Sequence, residues 1–379
     1  MFRGSNTEKG KFYHRNIFNN EDKFQRLDSD KRLVSILNNY DPSSSKLLDL
    51  GCNIGFFSFG MAKFGANVTS IDYDTEAIKH AKKMVKEHDI KNVKFLNKEI
   101  NVKELDKLGK QDCVLALAVL SWIMHQTSRE EMEKVIQWIA DNSEVSFIEI
   151  QYRGEPGQLE WLTNDDDCEA YLKQWFKYVY KVIKVSGWGP RTVWKCGNSP
   201  GKWKEIYKNS KTVCSLSRNG FFKKVKENKN VSYDNEVKYL NRLKDEMQFP
   251  KVIEHNDNEL LLSGFNAVNL ETLIHTHHFV PDPSSVSKTM FNLVGTLEDY
   301  NIKHQDINFE NLLVSNFGTL FLVDFECASD LDGPVKNPVI TDKSKLGNTV
   351  MAKKVLDEVM RAIEFFTKTK EQNDKTSND

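Results

Sequence analysis

The sequence predicts an α/β domain built on a parallel sheet, followed by a smaller α+β domain. Three observations carry that reading. The 379 residues are more than one hydrophobic core ordinarily supports, at roughly 100–200 residues per domain. The first half alternates short apolar runs with helically spaced ones, the pattern of β-α-β units. The second half opens on several short strand-like pieces and only then turns helical.

In the first half, Lys46 to Leu50 is the first strand, and Phe56 to Phe64 has helical spacing. Val68 to Ile71 is the second strand, with a helix from Thr75 to Glu87 behind it. Val93 to Leu96, Cys113 to Val119 and Val145 to Ile150 continue the sheet. Arg129 to Ala140 and Asp166 to Val185 read as helices, and Arg191 to Cys196 as a late strand closing the unit. Asn198-Ser199-Pro200-Gly201 is a run of turn formers and sets a boundary. The domains expected are 1–198, 199–367 and a polar, disordered tail over 368–379. Beyond the boundary, Lys204 to Tyr207, Thr212 to Leu216 and Phe221 to Lys226 suggest an antiparallel sheet. A helix from Tyr233 to Glu246 and the strand pair Val252 to Glu254 and Glu259 to Ser263 follow.

Composition excludes several classes. Hydrophobic residues are 39% and aromatic residues 11%, enough for packed cores, and 53 Lys+Arg against 54 Asp+Glu leave a net charge of −1. That balance fits neither an acidic disordered chain nor a nucleic-acid binder. The six cysteines (Cys52, Cys113, Cys168, Cys196, Cys214, Cys327) are scattered without a C-x-x-C pair, which argues against disulfides and thiolate zinc. The first residues lack an apolar h-region. The longest apolar stretch, Cys113 to Met124, is broken by Ser121 and too short to span a bilayer. A soluble, cytoplasmic chain is expected.

The segment LLDLGCNIGFFS places Asp49, Gly51 and Gly55 between a buried strand and a helix. Glycines there allow a tight turn and close approach of a ligand, and the acid can accept its hydrogen bonds. The spacing D-x-G-x-x-x-G differs from the dinucleotide fingerprint and resembles motif I of Rossmann-like class I S-adenosylmethionine-dependent methyltransferases. That resemblance implies S-adenosylmethionine as cofactor, Asp72 on the ribose hydroxyls, Tyr73 against adenine and Glu99 on its amino group. ALAVLSWIMH matches the segment lining the acceptor side. His125, Glu149, Gln151 and Tyr152 sit past strand ends facing the cofactor, each as easily a solvated loop residue. Tyr13 and Arg32 are candidates to close over it. Methyl transfer from a sulfonium needs positioning more than acid–base help, so acceptor-side residues are poorly legible.

The segment HQDINFENLL followed by LFLVDFE has a second meaning. His304, Asp306 and Asn311 form H-x-D-x-x-x-x-N, and Asp324-Phe325-Glu326 follows a strand-like pair. This resembles the catalytic loop and metal-binding motif of the two-lobed protein-kinase-like superfamily. The resemblance implies ATP and Mg2+, with Asp306 orienting and deprotonating an acceptor hydroxyl and Asn311 and Asp324 holding the metal. His304 braces the loop. Lys223 or its neighbour Lys224 contacts phosphate, with Glu236 as the ion-pair partner. Two departures stand out: no glycine-rich loop precedes the lysine, and Glu326 replaces the third-position glycine. Both lie closer to small-molecule kinases. His275, His277 and His278 lack the carboxylates or cysteines that would make a metal site.

A methyltransferase followed by a small kinase resembles the bifunctional chain terminators of bacterial O-antigen polysaccharides, in which a terminal sugar is phosphorylated and the product methylated. The implied reactions are methyl transfer and ATP-dependent phosphoryl transfer to a small-molecule or glycan acceptor. This sequence departs by having no long C-terminal coiled coil. The alternative is a methyltransferase whose kinase-like half only binds nucleotide or regulates. Oligomeric state is left open.

Overall fold

The computed structural model describes residues 17, 28–151, 159–186, 191–199, 204–208, 212–217, 220–225, 233–270, 272, 283–331, 348, 351–357 and 361. Tyr13, Tyr152, the three histidines at 275, 277 and 278, and the tail fall outside them. The chain divides into two compact units, Met1–Lys202 and Trp203–Asp379. Asn198, where the sequence suggested a break, is tied into the first unit. Its amide donates to the Ala140 and Trp175 carbonyls at 3.2 and 3.0 Å, and its carbonyl accepts from Lys177 N–H at 2.7 Å.

The first unit runs α1 (Ser29–Asn39), β1 (Lys46–Leu50), α2 (Phe56–Lys63), β2 (Asn67–Asp72), α3 (Thr75–Glu87), β3 (Val93–Asn97), α4 (Val102–Asp106) and β4 (Gln111–Leu117). It continues with α5 (Leu120–Gln126), α6 (Arg129–Asn142), β5 (Ser143–Gln151), α7 (Asp165–Leu172), β6 (Tyr178–Val185) and β7 (Arg191–Gly197). The strands form one seven-stranded sheet in the order β3-β2-β1-β4-β5-β7-β6. The first five are parallel, and β7 lies antiparallel to both β5 and β6. Covered by helices, the central strands bury consecutive apolar residues on both faces: Leu47, Leu48, Val114, Leu115, Phe147 and Ile148 are all fully buried. Helix starts are fixed by side chains. Asp74 caps α3, Asn101 α4, Ser128 α6 and Asn164 α7, each worth about 1 kcal/mol.

The helix expected over 166–185 is corrected. It stops at Leu172, and Tyr178–Val185 is strand β6, so β7 is an inner strand rather than the closing edge. The reason lies in Lys181 and Lys184, whose three-residue spacing imitates one helix face. A bulge between Lys181 and Ile183 lets both reach Asp165, at 2.7 and 3.0 Å. The helix α1 was not anticipated either.

The second unit begins with β8 (Lys204–Lys208), β9 (Thr212–Leu216) and β10 (Gly220–Val225), then α8 (Asp234–Arg242), β11 (Val252–His255), β12 (Glu259–Ser263) and β13 (Val268–Asn269). The first five of these strands form an antiparallel sheet, β11-β12-β10-β9-β8. After α9 (Pro283–Asp299) come β14 (Ile302–Lys303), β15 (Leu312–Val314), β16 (Leu320–Leu322) and β17 (Ser329–Asp330). These pair into a three-stranded sheet β13-β15-β16 and a ribbon β14-β17. The helix expected over 233–246 is shorter, ending at Arg242. One core joins Val237, Leu240 and Leu260 to Leu293, Leu297, Leu312, Leu322 and Phe325. The fold is a small sheet-plus-helix lobe followed by a helical lobe with short strand pairs, a two-lobed α+β arrangement.

Candidate functional site

In the first unit, the carboxyl ends of β1 and β2 meet. Asp49 lies within β1, 3% exposed, and its Oδ2 accepts the Ser58 hydroxyl at 2.6 Å. Ser58 accepts that of Ser70 at 2.9 Å. Burial pushes the Asp49 carboxyl up to about 7, opposed by Ser58 and assisted by repulsion from Asp72. Asp72 closes β2, with Oδ2 accepting Asn53 N–H at 2.7 Å and Oδ1 accepting Asp74 N–H at 2.9 Å. Burial raises its pKa also, against those backbone donors. Each Asp72 oxygen keeps a lone pair for a ligand hydroxyl.

The connecting turn is strained where it must be. Gly51 and Gly55 have φ of +72° and +89°, and Asn53 has +49°. A Cβ on Gly51 would lie 2.6 Å from a methyl of Val119, and one on Gly55 2.5 Å from the Phe95 ring. Protein side chains, and not ligand space alone, therefore require both glycines. Tyr73 is 48% exposed beside Asp72. Asn97, which sequence reading missed, fixes that loop. Its amide donates to the Asp72 and Tyr73 carbonyls at 3.1 and 2.9 Å, and its carbonyl accepts the Thr75 hydroxyl at 3.0 Å. Glu99 is exposed just past β3.

The acceptor-side candidates diverge. His125 is exposed on α5. Glu149 and Gln151 are buried residues of β5 itself, a correction to their expected place beyond the strand end. Glu149 accepts Arg32 Nη1 at 2.5 Å through one oxygen and Arg191 Nη1 at 3.2 Å through the other. Arg32 also lies over the Phe57 ring, 5.0 Å from its centroid. Gln151 accepts the Ser121 hydroxyl at 2.7 Å. Ala118, between β4 and α5, has φ of +62°, a conformation costing about 1–3 kcal/mol in a side-chain-bearing residue.

In the second unit, strand alternation separates the two lysines. Lys224 faces outward to Glu259 at 2.8 Å, while Lys223 is buried. Its Nζ donates to Glu236 Oε2 at 2.8 Å, Asp324 Oδ1 at 3.1 Å and Glu326 Oε1 at 3.4 Å. Glu236, on α8, also accepts Phe325 N–H at 3.3 Å. Burial opposes the Lys223 charge, but the carboxylates outweigh it and hold the pKa well up. Asp324 is driven the other way: burial raises its pKa, but Lys223 and its hydrogen bond lower it further, leaving a net depression.

His304 and Asp306 sit on the loop before β15. His304 is fully buried, and burial lowers its pKa to about 4. Its Nε2 lies 3.1 Å from the Val323 carbonyl, and its Nδ1 accepts Asp306 N–H at 3.3 Å, which assigns the proton to Nε2. Its ring meets Phe325 edge-on at 4.6 Å. Asn311 Nδ2 donates to Asp306 Oδ2 at 2.9 Å, and Asn308 donates to Oδ1 at 2.9 Å. Val323 N–H reaches the Asn311 carbonyl at 3.0 Å, tying the loop to the strand that delivers Asp324. Gln305 and Asp324 have φ of +67° and +65°, so strain concentrates here as it does around Asn53 and Ala118. The expected site residues of this half (Lys223, Glu236, Asp306, Asn311, Asp324) thus fall into two linked hydrogen-bonded groups. Asn235, Asn308 and Tyr233 were not anticipated.

Residues 41–210 match the family model described as a methyltransferase domain. The chain is similar to the O-antigen chain terminator bifunctional methyltransferase/kinase WbdD of Escherichia coli, 29% identical over 156 residues; a second WbdD sequence from that organism is 28% identical. That match takes in 39% of this chain and only 22% of the relative's length. A crystal structure of WbdD aligns over 93% of this chain and 92% of its own, with 16% identity and a TM-score of 0.46. The N-terminal domain of EvdMO1 in the presence of SAH and D-fucose aligns over 46% and 84%, at 16% identity and a TM-score of 0.37. Among the described residues, no helix is long and apolar enough to cross a membrane, and the six cysteines form no disulfide. The match to a methyltransferase domain supports S-adenosylmethionine-dependent methyl transfer as the activity of residues 41–210.

Proposed function

We propose that the chain is a bifunctional enzyme that transfers a methyl group from S-adenosylmethionine and a phosphoryl group from ATP, onto a sugar or glycan hydroxyl and its phosphorylated product. The observation that carries the second activity is the Lys223–Glu236 pair at 2.8 Å with Asp324 within 3.1 Å of the same ammonium. An assembled lysine–glutamate pair beside the metal-binding aspartate is what phosphoryl transfer needs in this fold class.

The donor set fits a hard divalent cation: Asp324 and Asn311 supply oxygens, and the Asp324 side chain is 38% exposed. Mg2+, when bound, would neutralise charge on the ATP phosphates. Lys223 binds phosphate oxygens, kept in place by Glu236. Asp306, held by Asn308 and Asn311, orients the acceptor hydroxyl and takes its proton. His304 stays neutral and locks the loop through Val323. In the first unit, Asp72 binds the ribose hydroxyls, Tyr73 lies along adenine, Glu99 offers an acceptor to its amino group, and Asp49 with the Gly51–Gly55 turn cradles the methionine portion. The division into functional domains near Asn198–Lys202 is part of the same proposal.

A second reading, nucleotide binding without transfer, is favoured by two features. No glycine-rich motif precedes Lys223, and Asp306 already has a donor on each oxygen. The deciding experiment incubates the full chain with ATP, Mg2+, S-adenosylmethionine and a panel of sugars and glycans, read by mass spectrometry. A phosphate gain followed by a methyl gain is expected. Methyl gain alone, with ATP bound and not consumed, would favour the second reading.

A further inference from the structure

The acidic residue in the motif's third position stands beside a conspicuous charge imbalance. Glu236, Asp324 and Glu326 bring ligand oxygens within 4.8 Å of one another, with the single ammonium of Lys223 among them. Glu236 is spent: one oxygen holds Lys223 and the other the Phe325 N–H. The Asp324 and Glu326 side chains remain open, 38% and 43% exposed. Around an octahedral ion with oxygens at about 2.1 Å, ligand atoms lie roughly 3–4 Å apart.

The Glu326 backbone is anchored for the purpose. Asn235 Nδ2 donates to the carbonyls of Phe325, Glu326 and Ala328 at 3.3, 2.8 and 2.9 Å. A separate observation points to a ligand. The Tyr233 hydroxyl is buried, in a residue 2% exposed, and has no hydrogen-bond partner. The charges that act on it include Lys223, Glu326 and Glu236. A buried hydroxyl left unpaired costs about 1–3 kcal/mol, a cost removed if an oxygen arrives at the cluster.

We propose that Glu326 is a second carboxylate ligand, with Asp324, for the divalent cation of this site, and that the Tyr233 hydroxyl donates to an oxygen arriving with it, a bound water or a phosphate oxygen. The proposal rests on the phosphoryl-transfer reading and adds a ligand to it. Two carboxylates give the cation a protein-held place, so the ion binds measurably before any nucleotide.

The test titrates the full chain with Mn2+, alone and with ADP, following free Mn2+ by electron paramagnetic resonance. Bound Eu3+ luminescence lifetimes in H2O and D2O then count coordinated waters. Glu326→Gln is expected to weaken Mn2+ about tenfold or more and to add a water to bound Eu3+, which a purely long-range charge effect would not do. Tyr233→Phe is expected to weaken Mn2+ with ADP severalfold; an unchanged value removes Tyr233 from the site. Unchanged S-adenosylmethionine affinity and melting temperature establish that the variants fold, and Glu326→Gly replaces Glu326→Gln if it does not. If Glu326→Gln matches wild type in affinity and hydration while Asp324→Asn loses the ion, Glu326 is not a ligand and the phosphoryl-transfer reading survives. If wild type binds no Mn2+ even with ADP, both fall together.

Discussion

The two halves hold their carboxylates in opposite ways. In the methyltransferase half, Asp49 and Asp72 are met by neutral donors, the Ser58 hydroxyl and the Asn53 and Asp74 amides. In the second unit, Glu236, Asp324 and Glu326 gather around the ammonium of Lys223. Burying a charge without a counter-charge is costly, so the first arrangement looks like the poorer solution. The ligands proposed for the two halves differ in charge, and on that proposal the difference accounts for it. S-adenosylmethionine carries a sulfonium and an ammonium, so a site for it gains from carboxylates with no protein cation competing. A nucleoside triphosphate is strongly anionic and needs a lysine held ready, with surplus carboxylates left for metal.

The largest effects that could break this comparison lie in the second unit. Asp324→Ala should abolish metal-dependent ATP binding and turnover, because it removes both the proposed cation ligand and a partner of Lys223. Asp306→Ala should leave ATP binding nearly intact while turnover falls by about 10²–10⁴, the usual contribution of a general base. Parallel ATP titrations and turnover assays check the asymmetry. Equal effects on binding would place both residues in one role and undo the division drawn here.

His304 supplies the next effect. Its folded pKa of about 4 lies below its ordinary 6.5. As pH falls below 6.5 the unfolded chain gains a proton there that the folded chain refuses until about 4. Stability is therefore lost on acidification across that window, by up to roughly 3 kcal/mol. Denaturation of the full chain at pH 7 and 4.5 measures the loss, and His304→Gln should flatten it. A slope unchanged in the variant would mean that other groups carry the acid sensitivity.

Legibility in the sequence tracked the range of the interaction. The turn at Gly51 and the Asp306–Asn311 loop could be read because each is set by residues a few positions apart. Asn311 reaches Asp306 directly, and the Gly51 turn is set by its own φ. Even there the reason for Gly51 was incomplete, since the Val119 contact comes from another loop. The Arg32–Glu149–Arg191 triad joins residues 117 and 42 positions apart and left no local trace. Asn348, which holds the His304 N–H at 3.0 Å from 44 residues away, was equally silent. Strand β6 was misread because a bulge put two lysines of helical spacing on one side. Lys223 against Lys224 is a matter of strand facing, which the β10–β12 register decides.

Asp72→Ala tests the first half. The carboxylate holds two backbone amides and, in the proposed role, the ribose. S-adenosylmethionine affinity should fall about tenfold to a hundredfold, roughly 1.5–3 kcal/mol, by calorimetry on the full chain. Asp72→Asn should lose less, because its amide oxygen still accepts. If both variants bind like wild type, the ribose lies elsewhere.

The smallest effect sharpens the comparison most, because it reads the missing cation directly. Asp49, raised to about 7 chiefly by burial, is mostly protonated at pH 6 and mostly ionised at pH 8. The positive charges of S-adenosylmethionine favour the ionised form, so binding should release a proton and affinity should climb with pH. With one group of pKa near 7, the ionised fraction rises about tenfold between pH 6 and 8, which bounds the gain at ~1.4 kcal/mol. The ligand's own amine titrates toward the upper end of this range, so wild type alone is ambiguous. Asp49→Asn supplies the control, since it removes the protein's contribution and leaves the ligand's. Calorimetry at pH 6 and 8, in buffers of different ionisation enthalpy, gives both the affinity ratio and the proton count. A ratio near tenfold in wild type that collapses in Asp49→Asn supports a carboxylate left uncompensated for a cationic ligand. The same ratio in both proteins would mean that the Ser58–Ser70 chain already keeps Asp49 ionised, and that this half needs no charge from its ligand.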